Sequence, residues 1–195
     1  MNEKKYKILE IVGIPFIYLV ATLLHFVYDL SGGSTLAILF GAVNESVWEH
    51  IKIFAVGFVL WAIIVLLWVR PPFYKYVVAK TLSLYFMMLA IIVFFYTYNM
   101  FTPEPILWLD LVSSFVFVAL SQYLSYKLTT EDNNLSDYFA VAVMLLMMFF
   151  VMFFSFTVFP PKADLFKDPQ SGAFGIVDTR VDNGAIMLDK LNKKI

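Results

Sequence analysis

Residues 44–69 read NESVWEHIKIFAVGFVLWAIIVLLWV. From Ser46 to Val69 the stretch is apolar enough, and long enough, to be a membrane-spanning helix, which needs roughly 20 mostly apolar residues. One lysine, Lys52, interrupts the apolar part. Its first seven positions are of another kind: Asn44, Glu45, Ser46, Glu49 and His50 crowd the place where the span begins. The fold follows from the apolar part of this stretch, and the candidate site from the polar part.

The rest of the chain supports the same reading. Of 195 residues, 61% are hydrophobic and 15% charged, and 21 are phenylalanine. A water-soluble domain of this size cannot hide so much apolar surface, so the solvent for most of it is lipid. Four further runs are long enough to span, giving spans at about 8–30, 46–69, 73–101, 105–127 and 137–159. Gly32-Gly33, Pro71-Pro72, Pro103-Glu104-Pro105, the polar stretch 130–137 and Pro160-Pro161 punctuate them. Residues 35–43 are apolar but too short to cross, which suits a re-entrant or interfacial piece. The expected fold is all-α: a five-span helix bundle over residues 1–160, followed by a tail at 161–195. Glu10, His25 and Asp29 inside the first run, and its length, argue for a retained span over a cleaved signal peptide.

Lys4, Lys5, Lys7, Arg70, Lys75, Lys80 and Lys127 collect on one side of such a bundle, and the positive-inside rule makes that side cytoplasmic. The N-terminus is then inside and the tail outside. The odd number of spans and the lack of an internal repeat argue against a transporter built from inverted repeats. Net charge is −1, so no basic footprint points to nucleic acid, and the absence of cysteine excludes disulfides and thiolate metal sites. The partner implied is the lipid bilayer.

This topology gathers Asp29, Glu45, Glu49, Glu104 and Asp110 at the outer ends of the spans, together with both histidines, His25 and His50. Residues four apart lie about 40° apart on a helix, so His25 and Asp29 share a face with Tyr18 and Thr22, and Glu45 shares one with Glu49. Asp110 heads a serine stripe on the fourth span. The candidate polar site is therefore His25, Asp29, Asn44, Glu45, Glu49, His50 and Asp110. Zinc or another divalent ion accepts imidazoles and carboxylates together, and His25, Asp29, Glu49 and His50 are the candidate ligands. If such an ion activated water, a free glutamate would serve as base against a lipid-type substrate. Other readings stand beside it. A proton-coupled or pH-sensing site uses the same groups. A structural account is also open: Ser46 and Glu49 form a capping box, Glu49 pairs with Lys52, and a serine stripe packs helices closely. A small transporter, sensor or accessory protein would need no more.

In the tail, Asp168-Pro169-Gln170-Ser171-Gly172 and Asp182-Asn183-Gly184 read as turns, with Leu165, Phe166, Phe174 and Ile176 as apolar anchors around the first. Such a tail suits a cap over the outer mouth, or a loose end held by one aromatic.

The runs His25-Phe26-Val27-Tyr28-Asp29-Leu30-Ser31-Gly32, NESVWEH and Leu165 to Ile176 resemble those of an uncharacterised family of small bacterial multi-pass membrane proteins. The resemblance covers nearly the whole chain and implies a bacterial inner membrane, with no activity to transfer. Seven-span hydrolases of the ceramidase type offer a looser likeness, since they too gather His, Asp and Ser around zinc. They use three histidines where this chain has two.

Overall fold

The computed structural model describes residues 1–176. They form an all-α membrane bundle of α1 (Glu3–Leu30), α2 (Thr35–Phe40), α3 (Val47–Val69), α4 (Phe73–Asn99), α5 (Leu107–Thr130) and α6 (Phe139–Val158). Single 3-10 turns at Leu135–Tyr138 and Asp164–Phe166 complete it. Five helices are long and apolar enough to cross a membrane: α1, α3, α4, α5, and α6 with the turn before it. Among the described residues the only β pairing is an isolated bridge between Lys167 and Phe174. The expected turn at Asp182-Asn183-Gly184 lies outside the described residues.

The span ends differ from the sequence expectation for local reasons. α1 starts at Glu3, several residues early, because Asn2 Oδ1 accepts the Lys5 N–H at 3.0 Å and caps it. Lysines are no obstacle to a helix whose end lies in water. α5 begins only at Leu107, since Pro103 and Pro105 keep the bend before it out of the helix, and it runs past Lys127 to Thr130. α3 ends where Arg70 takes the left-handed conformation (φ 51°) and two prolines follow.

α1, α3, α4 and α5 close a four-helix ring, α1 and α4 each lying against both α3 and α5, and α6 packs on α4. Ile17, Phe58, Leu84, Met87 and Val118 fill the interior. Leu19, Leu23, Leu67, Trp68, Leu89, Val93, Met144 and Val151 face outward, an apolar jacket suited to a lipid bilayer. Close approach of α1 and α3 rests on Gly57, where a Cβ would sit 3.0 Å from the Ile17 carbonyl oxygen.

The short apolar piece becomes the single-turn helix α2, capped by Ser34 Oγ on the Ala37 N–H at 3.3 Å. The chain then doubles back on α1, and the Ala42 N–H donates to the Leu24 carbonyl at 3.2 Å. Any Cβ at Gly41 would come within 2.4 Å of Val27 Cγ1. That return brings the NESVWEH segment beside the last turns of α1.

Candidate functional site

Ser46 caps α3 through its Oγ, 3.3 Å from the Glu49 N–H. The reciprocal half of a capping box does not form. Asn44 Oδ1 takes the Ser46 N–H at 2.8 Å, which releases Glu49 for other partners. Glu49 turns into the bundle, where its carboxylate lies 2.5 Å from Lys52 Nζ and accepts the Val43 N–H at 3.1 Å and the Thr157 hydroxyl at 3.4 Å. Lys52 also donates to the Ile38 carbonyl and to Thr157 Oγ1. This closed, fully buried pair ties α3 to α2, α6 and the intervening loop.

Glu45 points the other way. Its Oε2 lies 3.5 Å from His50 Nε2 and its Oε1 3.8 Å from His25 Nε2. The two imidazole rings are 5.3 Å apart between centroids. One ligand-type atom from each of His25, Glu45 and His50 lies within 4.8 Å of the other two, and all three residues are half-buried. They come from α1, the loop and the first turn of α3.

His50 is aimed. Its Nδ1 is 2.9 Å from the Ser46 carbonyl oxygen. A carbonyl only accepts, so Nδ1 carries the proton and Nε2 faces Glu45 either as a lone pair or as the second N–H of an imidazolium. Metal-ligating histidines are oriented in this way, by donating the other nitrogen's proton to a backbone carbonyl. The Glu45 carboxylate thus faces an imidazole nitrogen from each of two helices. His25 Nδ1 is buried and without a hydrogen-bond partner.

The other residues singled out from the sequence fall around this centre or away from it. Of the expected ligand set His25, Asp29, Glu49 and His50, the histidines converge and Glu49 leaves, drawn off by the buried ammonium of Lys52. The carboxylate beside the two histidines is that of Glu45. Asp29 lies exposed one turn after His25, near enough for its charge to act on that imidazole. Asp110, half-buried, accepts from Tyr98 Oη at 2.6 Å and feels the charge of His50. Asn44 is a holding residue: its Nδ2 donates to the Gly175 carbonyl at 2.6 Å. The serine stripe is structural, with Ser114 and Ser121 bonded to their own helix at Leu111 and Val118.

The tail reaches this end of the bundle. Phe166 is buried against Trp48 and Phe156, with ring centroids 5.2 and 5.3 Å away. Asp168 organises the turn after it, accepting from the Gln170 N–H at 2.9 Å and the Ser171 hydroxyl at 2.6 Å.

Sequence reasoning missed a second polar centre at the opposite end, where Glu10, Lys80 and Gln122 meet. Lys80, counted from the sequence as a flanking charge, is buried between helices. The signal was available: a lone acid in Ile8-Leu9-Glu10-Ile11 and a lone base in Val78-Ala79-Lys80-Thr81, each inside an apolar helix, are charges that require each other.

No curated protein and no solved structure matches the chain. Residues 1–176, from α1 through the docked part of the tail, match a family of unknown function, DUF6512, and the chain belongs to that family.

Proposed function

We propose that this membrane protein binds a divalent cation, zinc or one of similar preference, at the outer face of a cell membrane through His25, Glu45 and His50. The observation that carries the reading is the convergence of three ligand-type atoms from three chain segments, with His50 already oriented by the Ser46 carbonyl. Ligands about 2.0–2.2 Å from one zinc ion stand roughly 3.3–3.6 Å apart in a tetrahedron. Glu45 approaches that spacing with one oxygen toward each histidine, Oε2 3.5 Å from His50 and Oε1 3.8 Å from His25, and one atom from each residue fits within 4.8 Å of the others. A fourth position is left for water or a ligand. The lysine distribution supports an N-terminus in the cytoplasm, and residues 161–195 then form an external tail.

Binding, rather than turnover, is the reading favoured. A hydrolase of the metal-water type needs a free carboxylate as base, and Glu49 is committed to Lys52. A sensor or accessory role uses the cation without it.

Metal analysis and calorimetric zinc titration of the protein purified in detergent test the proposal. Wild type should take up about one zinc per chain, and Glu45→Gln and His50→Gln should each lose it while keeping the helical circular-dichroism signal. Equal uptake by wild type and both variants would exclude this site.

A further inference from the structure

The centre at the opposite end of the bundle shares no residue with the histidine site. Glu10 on α1, Lys80 on α4 and Gln122 on α5 all lie roughly two helical turns inside the end where α1 begins. Lys80 Nζ donates to Glu10 Oε2 at 2.7 Å and to Gln122 Oε1 at 3.0 Å, and Gln122 Nε2 donates to the Glu10 backbone carbonyl at 3.3 Å. The ammonium also lies 5.0 Å from the Phe58 ring centroid and 5.7 Å from that of Tyr76.

The molecule contains its own control for what a structural ion pair looks like. In the Glu49–Lys52 pair both carboxylate oxygens are partnered. In the Glu10–Lys80 pair one is not: Glu10 Oε1 is buried, without a hydrogen-bond partner, in a residue only 2% exposed. A buried pair adds little net stability over a well-packed apolar one, so an incompletely satisfied pair is costly as architecture. An open lone pair on a buried carboxylate is, however, what a proton acceptor requires.

A route reaches it. Tyr6, one turn before Glu10 and fully buried, is close enough for the two side chains to interact. Its hydroxyl donates to Thr129 Oγ1 at 3.1 Å and lies 3.5 Å from Ser125 Oγ. Thr129, itself only 3% exposed, is in the last turn of α5, followed by the part-exposed Thr130 and flanked in sequence by the exposed Lys127–Glu131 pair that marks the end of the bundle. Hydroxyls rotate, so this chain can pass a proton either way.

We propose that Glu10 is an intramembrane proton-binding site, exchanging with solution at the α1-start end of the bundle through Thr129 and Tyr6. In loading, Tyr6 gives its hydroxyl proton to Glu10 Oε1 and takes one from Thr129, which is reprotonated by a hydronium ion from solution, leaving water. One proton enters and each hydroxyl ends unchanged. Glu10 becomes a carboxylic acid and Lys80 loses its counter-charge, as Lys52 would in Glu49→Gln, a cost that favours the unloaded pair. Gln122 Oε1 and the two ring faces remain around the ammonium. The titratable groups facing Glu10 are Tyr6 on α1 and Tyr76 and Lys80 on α4. α3 contributes Phe58 and Trp61, and α5 contributes Gln122, Ser125 and Thr129.

Infrared difference spectroscopy of the full chain in lipid nanodiscs, titrated by pH with a chelator present, tests this independently of the cation site. A protonated-carboxyl band resolved from that of the exposed acids should grow on acidification and be lost in Glu10→Gln, and its hydrogen–deuterium exchange should slow severalfold in Tyr6→Phe. No such band in wild type, or a band that survives in Glu10→Gln, overturns the site. Exchange in Tyr6→Phe as fast as in wild type overturns the route. Should Glu10→Gln fail to fold, the double variant Glu10→Gln with Lys80→Met removes both charges, and persistence of the band in it is equally fatal.

Discussion

Glu45, in the loop just before the Ser46 cap, and Glu49, in the first turn of α3, are four residues apart, yet they end in opposite environments. Glu49 neutralises a buried lysine, and removing its charge leaves Lys52 unpaired in low dielectric, a change that costs about 3–5 kcal/mol. Glu49→Gln should therefore lower the thermal midpoint in detergent whether or not zinc is present. Glu45 is half-exposed and shares no such burden. Glu45→Gln should leave the metal-free midpoint nearly unchanged and abolish the rise that zinc gives wild type by mass action. A thermal-shift series with zinc and with chelator separates the two, and a reversed pattern would transfer the site to Glu49. Protons compete with the cation for His25 and His50, so zinc affinity should fall as the solution is acidified. Affinity independent of pH would mean that the histidines are not ligands.

The helix and loop contacts around the site give a second group of expectations. The tail docks by Phe166 in the pocket of Trp48 and Phe156 and by the Asn44–Gly175 bond. Truncating a buried phenylalanine costs about 3 kcal/mol or more in a core. In Phe166→Ala the loss should fall on the tail, as faster proteolysis after Pro161 with the bundle intact. Unchanged cleavage would mean that Phe166 does not hold it. At the other end, Gly13 leaves room for Trp61 and Gln122: a Cβ there would lie 2.0 Å from Gln122 Nε2 and 2.3 Å from Trp61 Nε1. Gly13→Ala must push both side chains away, breaking the Trp61–Leu9 and Gln122–Glu10 carbonyl bonds, and should destabilise by about 1–3 kcal/mol. A midpoint equal to wild type would show that the helices separate at no cost.

The whole bundle carries a polar centre at each end, one half-exposed around Glu45 and the two histidines and one buried around Glu10. Between them α1, α3 and α4 bury Ile17, Ala21, Phe58 and Met87. The proposed orientation puts the Glu10 end on the cytoplasmic side and the histidine end outside. Reporter fusions should report the connections at 70–72 and 131–138 as cytoplasmic and a fusion after residue 176 as external. A cytoplasmic signal from the last would invert the bundle and remove the external site.

Fold class, span number and the polar loading of residues 44–50 were legible because each depends on composition along one segment: length against bilayer thickness, Gly and Pro at breaks, a serine before an apolar run. The convergence of His25 and His50 was legible in part, since both lie about one turn inside the same end of adjacent spans. The choice of Glu45 over Glu49 was not, because it depends on rotation of α3 toward α2 and α6 and on Lys52 lying inside. The pairing of Glu10 with Lys80 was hidden for the same reason. Seventy residues separate them, and the low dielectric that makes each intolerable alone arises only once the ring has closed around both.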